Sequence, residues 1–183
     1  YAADIKKISG METEYTLMYK GKALGKINLH VAGVHNILNS LAAAAASFYA
    51  NVSFESIQKG LSDFRGAGRR FELIGKEKGI TIVDDYAHHP TELSVTLKAA
   101  MDMGYNKVWA VFQPFTFSRT AILLDDFAKA LSIPDNAVLT DIMGSREKNT
   151  YNIYTRNLAE KIDGCIYFPQ DENAEYTDER KYE

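Results

Sequence analysis

"ITIVDDYAHHPTELSVTL" (80–97) sets three kinds of residue in a fixed order. The run Ile80-Thr81-Ile82-Val83 is β-branched throughout, and such side chains fit a pleated, half-buried surface, so it reads as a strand. A polar joint follows, with Asp84, Asp85, His88, His89 and Glu92 close together. From Thr91 to near Met103 the positions Leu93, Leu97, Ala100 and Met101 recur at i, i+4, i+7 and i+8, one face of a helix. A strand that passes directly into a helix is half of a βα unit.

The alternation continues outward from this stretch. "KVWAVF" (107–112) reads as a strand before a helix over 120–132, whose apolar face includes Leu124, Phe127, Ala128 and Leu131. "NAVLTDI" (136–142) reads as a strand before a helix over 151–162, and "CIYF" (165–168) as the next strand. "FELIGK" (71–76) supplies a strand ahead of Ile80. Strands separated by helices indicate an α/β fold: a Rossmann-like, mostly parallel sheet with helices on both faces.

Upstream the pattern differs. "TEYTLMYK" (13–20) and "ALGKINLHV" (23–31) are extended runs meeting at Gly21-Lys22, a hairpin signal. "VHNILNSLAAAAASFYA" (34–50) is apolar on nearly every face, which predicts a buried helix. "SFESIQKGLSDF" (53–64) opens on Ser53 with Glu55 and Gln58 in its early turns, which starts a second helix. "RGAGRR" (65–70) then breaks the periodicity and reads as an interdomain linker. The expected division is a hairpin-plus-helices part over 1–66 and the α/β part over 67–183.

Composition limits what these parts can do. With 183 residues, 46% hydrophobic and 25% charged, the chain has the make-up of a globular protein that builds its own core. A net charge of −3 gives no bulk electrostatic case for nucleic acid or an anionic membrane, so phosphate binding must come from placed residues. The one cysteine, Cys165, rules out an internal disulfide and cannot form a zinc site alone. No apolar stretch approaches the roughly 20 residues that span a bilayer, and the start carries no secretory apolar core. The first residue is not methionine and the chain stops inside a charged, helix-like segment, Asp178 to Glu183, so it reads as a segment of a longer protein.

In open α/β sheets, ligands sit at the carboxyl ends of strands. Three loops there carry unusual residues: "DDYAHHP", "QPFTFSRT" and "MGSREKNT", all expected on one edge of the sheet. Asp84-Asp85 with Pro90 could merely cap a helix, with His89 as the cap residue. Asp84, Asp85, His88 and His89 could also ligate a metal and serve a hydrolase, although adjacent histidines rarely point at one ion. Arg119, Arg69 and Arg70 could be solvated charges. His35, Asn36 and Asn39 cluster at the start of an apolar helix, where polar groups must find partners. They form either an internal network or an edge that suits a heteroaromatic base, which a non-catalytic nucleotide-binding module would use equally well.

The stretches "GVHNILNSLAAAAA" (33–46), "GRRFE" (68–72), "DDYAHHPTE" (84–92), "FQPFTFSRT" (112–120) and "DIMGSREKNT" (141–150) together resemble the Mur ligase family, in the family's order and spacing. "DYAHHPTE" with "SRT" resembles the branch that joins L-alanine to UDP-N-acetylmuramate. The resemblance implies a cytoplasmic, ATP- and magnesium-dependent enzyme of peptidoglycan precursor synthesis that works through an acyl phosphate. It implies that residues 1–66 end a central ATPase domain and that 67–183 form most of the C-terminal domain, cut before its last strand and helix. It further implies that His35, Asn36 and Asn39 line the adenine pocket. Arg70 would reach the ATP phosphates, with Arg69 beside it, Asp85 would meet the ribose, and Tyr86 would pack near the nucleotide. His88 and Arg119 would hold the incoming alanine. No metal ligand is expected in this chain, because the glycine-rich phosphate loop and the main magnesium ligands belong to a part that it does not contain. Phe115, Thr116 and Phe117 depart from the family's usual His-Arg-Tyr at this place, so the alanine pocket should differ.

Overall fold

The computed structural model describes residues 1–169. The expected cut before a last strand and helix, and the helix-like end, lie outside the described residues. Among the described residues fourteen elements follow in chain order, and they group into two compact units that divide between Asn106 and Lys107. That division differs in place from the boundary expected at 66/67, and "RGAGRR" lies inside the first unit.

In the first unit, strands β1 (Ala2–Lys7), β2 (Thr13–Tyr19) and β3 (Lys22–Leu29) form an antiparallel sheet in the order β1-β2-β3. The expected hairpin is present, with its turn one residue earlier than expected, at Lys20-Gly21 with φ of 47° and 79°. Two positive φ values give the turn whose twist matches that of the strands. β1 was not expected from sequence. Its ladder shifts register between Ala3 and Lys6, with Asp4 at φ 52°, so it lacks the alternation that marks a strand.

Tyr15, Leu17, Ile27 and Leu29 face Ile37 and Ala44 of helix α1 (Val34–Tyr49) and Ile57 of helix α2 (Phe54–Asp63), forming one buried cluster. Tyr15 brings its hydroxyl into this core and pairs it with Ser40 Oγ at 2.8 Å, which removes the cost of an unpaired polar atom. Ser53 caps α2 as expected, accepting from the Ser56 N–H at 3.3 Å. The expectation that α1 is buried all round is corrected. Only Ile37, Ser40 and Ala44 are buried, while Val34 and Leu38 are exposed and Tyr49 is 91% exposed. Alanine supports a helix through propensity alone and does not require a covered face.

Strands β4 (Glu72–Glu77) and β5 (Ile80–Asp84) form an antiparallel hairpin closed by Lys78-Gly79, and helix α3 (Pro90–Met101) follows. Leu93 and Leu97 are buried, whereas Met101 of the expected face is exposed.

In the second unit, β6 (Trp109–Phe112), β7 (Asn136–Thr140) and β8 (Ile166–Phe168) form a parallel sheet in that order. Phe112 meets Phe127 with ring centroids 5.6 Å apart, and Leu131, Leu139 and Leu158 are buried. The single helix expected over 120–132 is two: α4 (Phe117–Ile122) and α5 (Leu124–Leu131). It starts early because Thr116 accepts from the Arg119 N–H and so caps the chain ahead of Thr120. The helix expected over 151–162 shrinks to α6 (Thr155–Ala159). Asn149 bonds both the N–H and the carbonyl of Ile153, which holds 149–153 as a loop. The mixed α/β class with a mostly parallel sheet is as expected. The common edge is not: among the described residues β5 pairs with β4 alone, so the loop after it leaves a different sheet from the loops after β6 and β7.

Candidate functional site

A cavity of about 720 Å³ opens in the first unit, within the usual range for small-molecule sites. Its apolar walls include Leu29, Val31, Leu61, Phe64, Phe71 and Val95. Its polar groups come from three segments: His35, Asn36 and Asn39 from α1, Arg70 and Asp85 from the irregular stretches around β4 and β5, and Thr91, Glu92 and Thr96 from α3.

The α1 group begins with Gly33, which caps the helix at φ 91°. A Cβ built there would stand 2.5 Å from His35 Cε1 and 2.6 Å from Nδ1, so glycine is what lets the imidazole fold back over the helix start. His35 Nδ1 is buried with no hydrogen-bond partner. Burial holds the imidazole below its ordinary pKa, against the opposing pull of Asp85. A neutral ring keeps one donor and one acceptor, which is what recognition of a heteroaromatic edge requires. Beside it Asn36 donates to the Ala32 carbonyl at 2.6 Å, and Asn39 donates to Asn36 Oδ1 at 3.1 Å. Asn36 is therefore committed to the backbone, and Asn39 is the exposed end of the chain of bonds.

Arg70 sits between two residues with left-handed backbone, Arg69 at φ 56° and Phe71 at φ 50°. Such conformations cost on the order of 1–3 kcal/mol each and persist only when surroundings enforce them. Here Asp85 holds the second of them. Its Oδ2 accepts from the Phe71 N–H at 2.8 Å and its Oδ1 from the Ala87 N–H at 2.7 Å. The Arg69 N–H reaches Glu72 Oε2 at 2.6 Å, and the Tyr86 N–H reaches the Arg69 carbonyl at 2.8 Å. Arg69 itself pairs with Asp84 at 3.2 Å and lies 4.7 Å from the centroid of the Tyr86 ring.

The structure thus gathers His35, Asn36, Asn39, Arg70 and Asp85 around one cavity and leaves three predicted residues off its wall. Tyr86 packs on Arg69 and edge-on to His88. His88 directs Nδ1 to the Tyr86 carbonyl at 2.9 Å and lies 3.5 Å from Glu92. Arg119 belongs to the second unit, at the third position of α4. Glu92 was given no role from sequence. It accepts from the His88 N–H at 3.0 Å, and that bond holds its carboxyl below the usual range. Its signal was its spacing, three residues past the His89 cap, which accepts from the Thr91 N–H.

The metal reading finds no support in this geometry. Asp85 turns one oxygen to each of two backbone N–H groups, Asp84 pairs with Arg69, and His88 Nδ1 faces a carbonyl, so the side chains do not converge on one point. Among the described residues no three acidic, histidine or cysteine side chains are placed to hold an ion.

Residues 69–181 match the family model described as Mur ligase, glutamate ligase domain. The chain belongs to the Mur ligase family. It is 47% identical over 159 residues to the UDP-N-acetylmuramate–L-alanine ligase of Acetivibrio thermocellus, covering 85% of this chain and 34% of that protein. The ligase of the same name from Lachnospira eligens is 46% identical over 165 residues, covering 88% and 36%. Among solved structures, the UDP-N-acetylmuramate–alanine ligase of Thermotoga maritima superposes with a TM-score of 0.71 at 26% identity, covering 91% of this chain and 37% of that one. The chain spans about a third of the length of the Mur ligases that it matches. No helix among the described residues is long and apolar enough to cross a membrane.

Proposed function

We propose that this chain is the part of a UDP-N-acetylmuramate–L-alanine ligase that holds the nucleoside of ATP and the incoming amino acid. Residues 1–66 end the central ATP-binding domain in this reading, and 67–183 form most of the C-terminal domain. The intact enzyme works in the cytoplasm, in peptidoglycan precursor synthesis. ATP, L-alanine and UDP-N-acetylmuramate are its substrates. The observation that carries the proposal is the cavity that joins His35, Asn36 and Asn39 to Arg70 and Asp85.

The residues present fit a nucleoside. His35 brings a buried, unpartnered ring nitrogen and Asn39 an exposed amide, enough to read a base edge against the apolar walls. Asp85, after two backbone bonds, keeps lone pairs for ribose hydroxyls. Arg70 supplies a fixed positive charge for phosphate oxygens. Magnesium is handled differently. Its main ligands are expected in the N-terminal part of the intact ligase, with the glycine-rich phosphate loop.

The chemistry is phosphorylation of the lactyl carboxylate and attack by the alanine amino group on the acyl phosphate. A carboxylate is a poor electrophile until an oxygen becomes a leaving group, so positioning and charge neutralisation dominate catalysis. Arg119 would hold the alanine carboxylate through two parallel hydrogen bonds. Phe115 and Thr116 make the nearby wall more apolar than the family's usual His-Arg.

Kinetics on the full-length protein test the nucleoside assignment. Asn39→Ala should raise the KM for ATP about tenfold, the worth of one hydrogen bond to the base, with the KM for alanine unchanged. Equal effects on both substrates, or none on ATP, would refute the placement. The 183-residue chain alone, which contains no glycine-rich phosphate loop, should not release phosphate.

A further inference from the structure

The loops after β6 and β7 are stitched together residue by residue. Gln113 Nε2 donates to the Asp141 carbonyl at 3.1 Å, and the Met143 N–H to the Pro114 carbonyl at 2.9 Å. Gly144, at φ 74°, passes so close to Phe117 that a Cβ would stand 2.8 Å from the ring. Glu147 completes the contact. Its Oε2 accepts from the Ser118 N–H at 2.8 Å and its Oε1 from the Ser118 hydroxyl at 2.6 Å.

These bonds fall at the start of α4. Thr116 is the cap and accepts from the Arg119 N–H, and Glu147 takes the preceding N–H, that of Ser118. Two of the helix's orphan donors are therefore satisfied from two different loops. The carboxylate also suits the positive end of the helix. The Ser118 bonds, with the nearby Arg119 charge as a lesser contribution, hold the Glu147 carboxyl below its usual range, so it stays ionised near neutrality.

We propose that Glu147 is a positioning residue for Arg119: it clamps the first turn of α4 so that the guanidinium meets the amino-acid substrate's carboxylate in one geometry. The proposal rests on the reading of Arg119 given above. Glu147 touches no substrate in it. The effect passes through Ser118 and the backbone of a six-residue helix too short to hold its own first turn.

The test uses the full-length ligase with Glu147→Ala, Glu147→Gln, Arg119→Ala and the double variant Glu147→Ala/Arg119→Ala. Glu147→Ala should raise the KM for alanine about tenfold, as expected for a displaced binding group, with the KM for ATP and kcat little changed. Glu147→Gln should recover most of the loss, since its amide oxygen can still accept from the Ser118 N–H. In the Arg119→Ala background, Glu147→Ala should add nothing. If Arg119→Ala raises the KM for alanine and Glu147→Ala does not, the positioning role is wrong and Arg119 keeps its assignment. If Arg119→Ala leaves that KM unchanged, the reading of Arg119 fails and the proposal falls with it. A loss spread equally over alanine, ATP and kcat, with a lowered melting temperature, would mark Glu147 as a fold residue only and overturn the proposal.

Discussion

Asp85 holds Phe71 by a 2.8 Å hydrogen bond from the Phe71 N–H to its carboxylate, across 14 positions of sequence. The same carboxylate closes its own loop through the Ala87 N–H. One side chain therefore fixes both the strained turn that carries Arg70 and the joint between β5 and α3.

This double duty predicts a double cost. Asp85→Ala removes two bonds to a charged acceptor and should lower stability by about 1.5–3 kcal/mol. In the intact enzyme the KM for ATP should rise roughly 10- to 150-fold, the equivalent of a bond of that strength to a nucleotide. Asp85→Asn should be nearly as harmful, because one amide oxygen cannot serve both N–H groups and the amide donor opposes the second. Melting curves and ATP titrations of the three proteins check this. A stable Asp85→Ala with unchanged KM for ATP would remove Asp85 from both roles.

His35 should make stability depend on pH. Its folded pKa is depressed below 6.5, chiefly by burial, so the folded state resists taking up the proton. The stability it contributes is fully present above the unfolded pKa and is lost as pH falls through the folded one. The melting temperature should therefore drop on acidification below about pH 6.5, and His35→Gln should flatten that part of the profile. An identical profile in His35→Gln would show that the imidazole titrates freely.

Gly33 should tolerate no side chain. A methyl group there would meet the His35 ring at 2.5 Å, on a backbone at φ 91°. Gly33→Ala should cost on the order of 1–3 kcal/mol through strain and displacement of the ring. Part of that should return in Gly33→Ala/His35→Ala, which relieves the clash but not the φ strain. Equal stability of Gly33→Ala and the parent would mean that the ring does not fold over the helix start.

Local chemistry made much of this molecule legible in its sequence. The hairpin of β2 and β3, the Ser53 cap and the Pro90 start of α3 each depend on a few neighbouring residues. The α1 polar group was legible because amides and an imidazole stand out in an alanine-rich run. Pairings between segments were not legible. The partner of β5 depended on a hairpin turn at Lys78-Gly79 winning over the βα alternation that follows. The start of α4 depended on Glu147, 29 residues from Ser118, and nothing in a linear pattern links the two. The exposure of α1 was hidden because alanine favours a helix whether or not it is covered.

The central claim is that the intact protein ligates L-alanine to UDP-N-acetylmuramate. The most direct test is phosphate release by the full-length enzyme with ATP, UDP-N-acetylmuramate and L-alanine, each omitted in turn, with mass analysis of the nucleotide-sugar product. The account predicts release only when all three are present, and a product heavier by one alanine residue. Release without alanine addition, or equal use of a different amino acid in place of alanine, would contradict it.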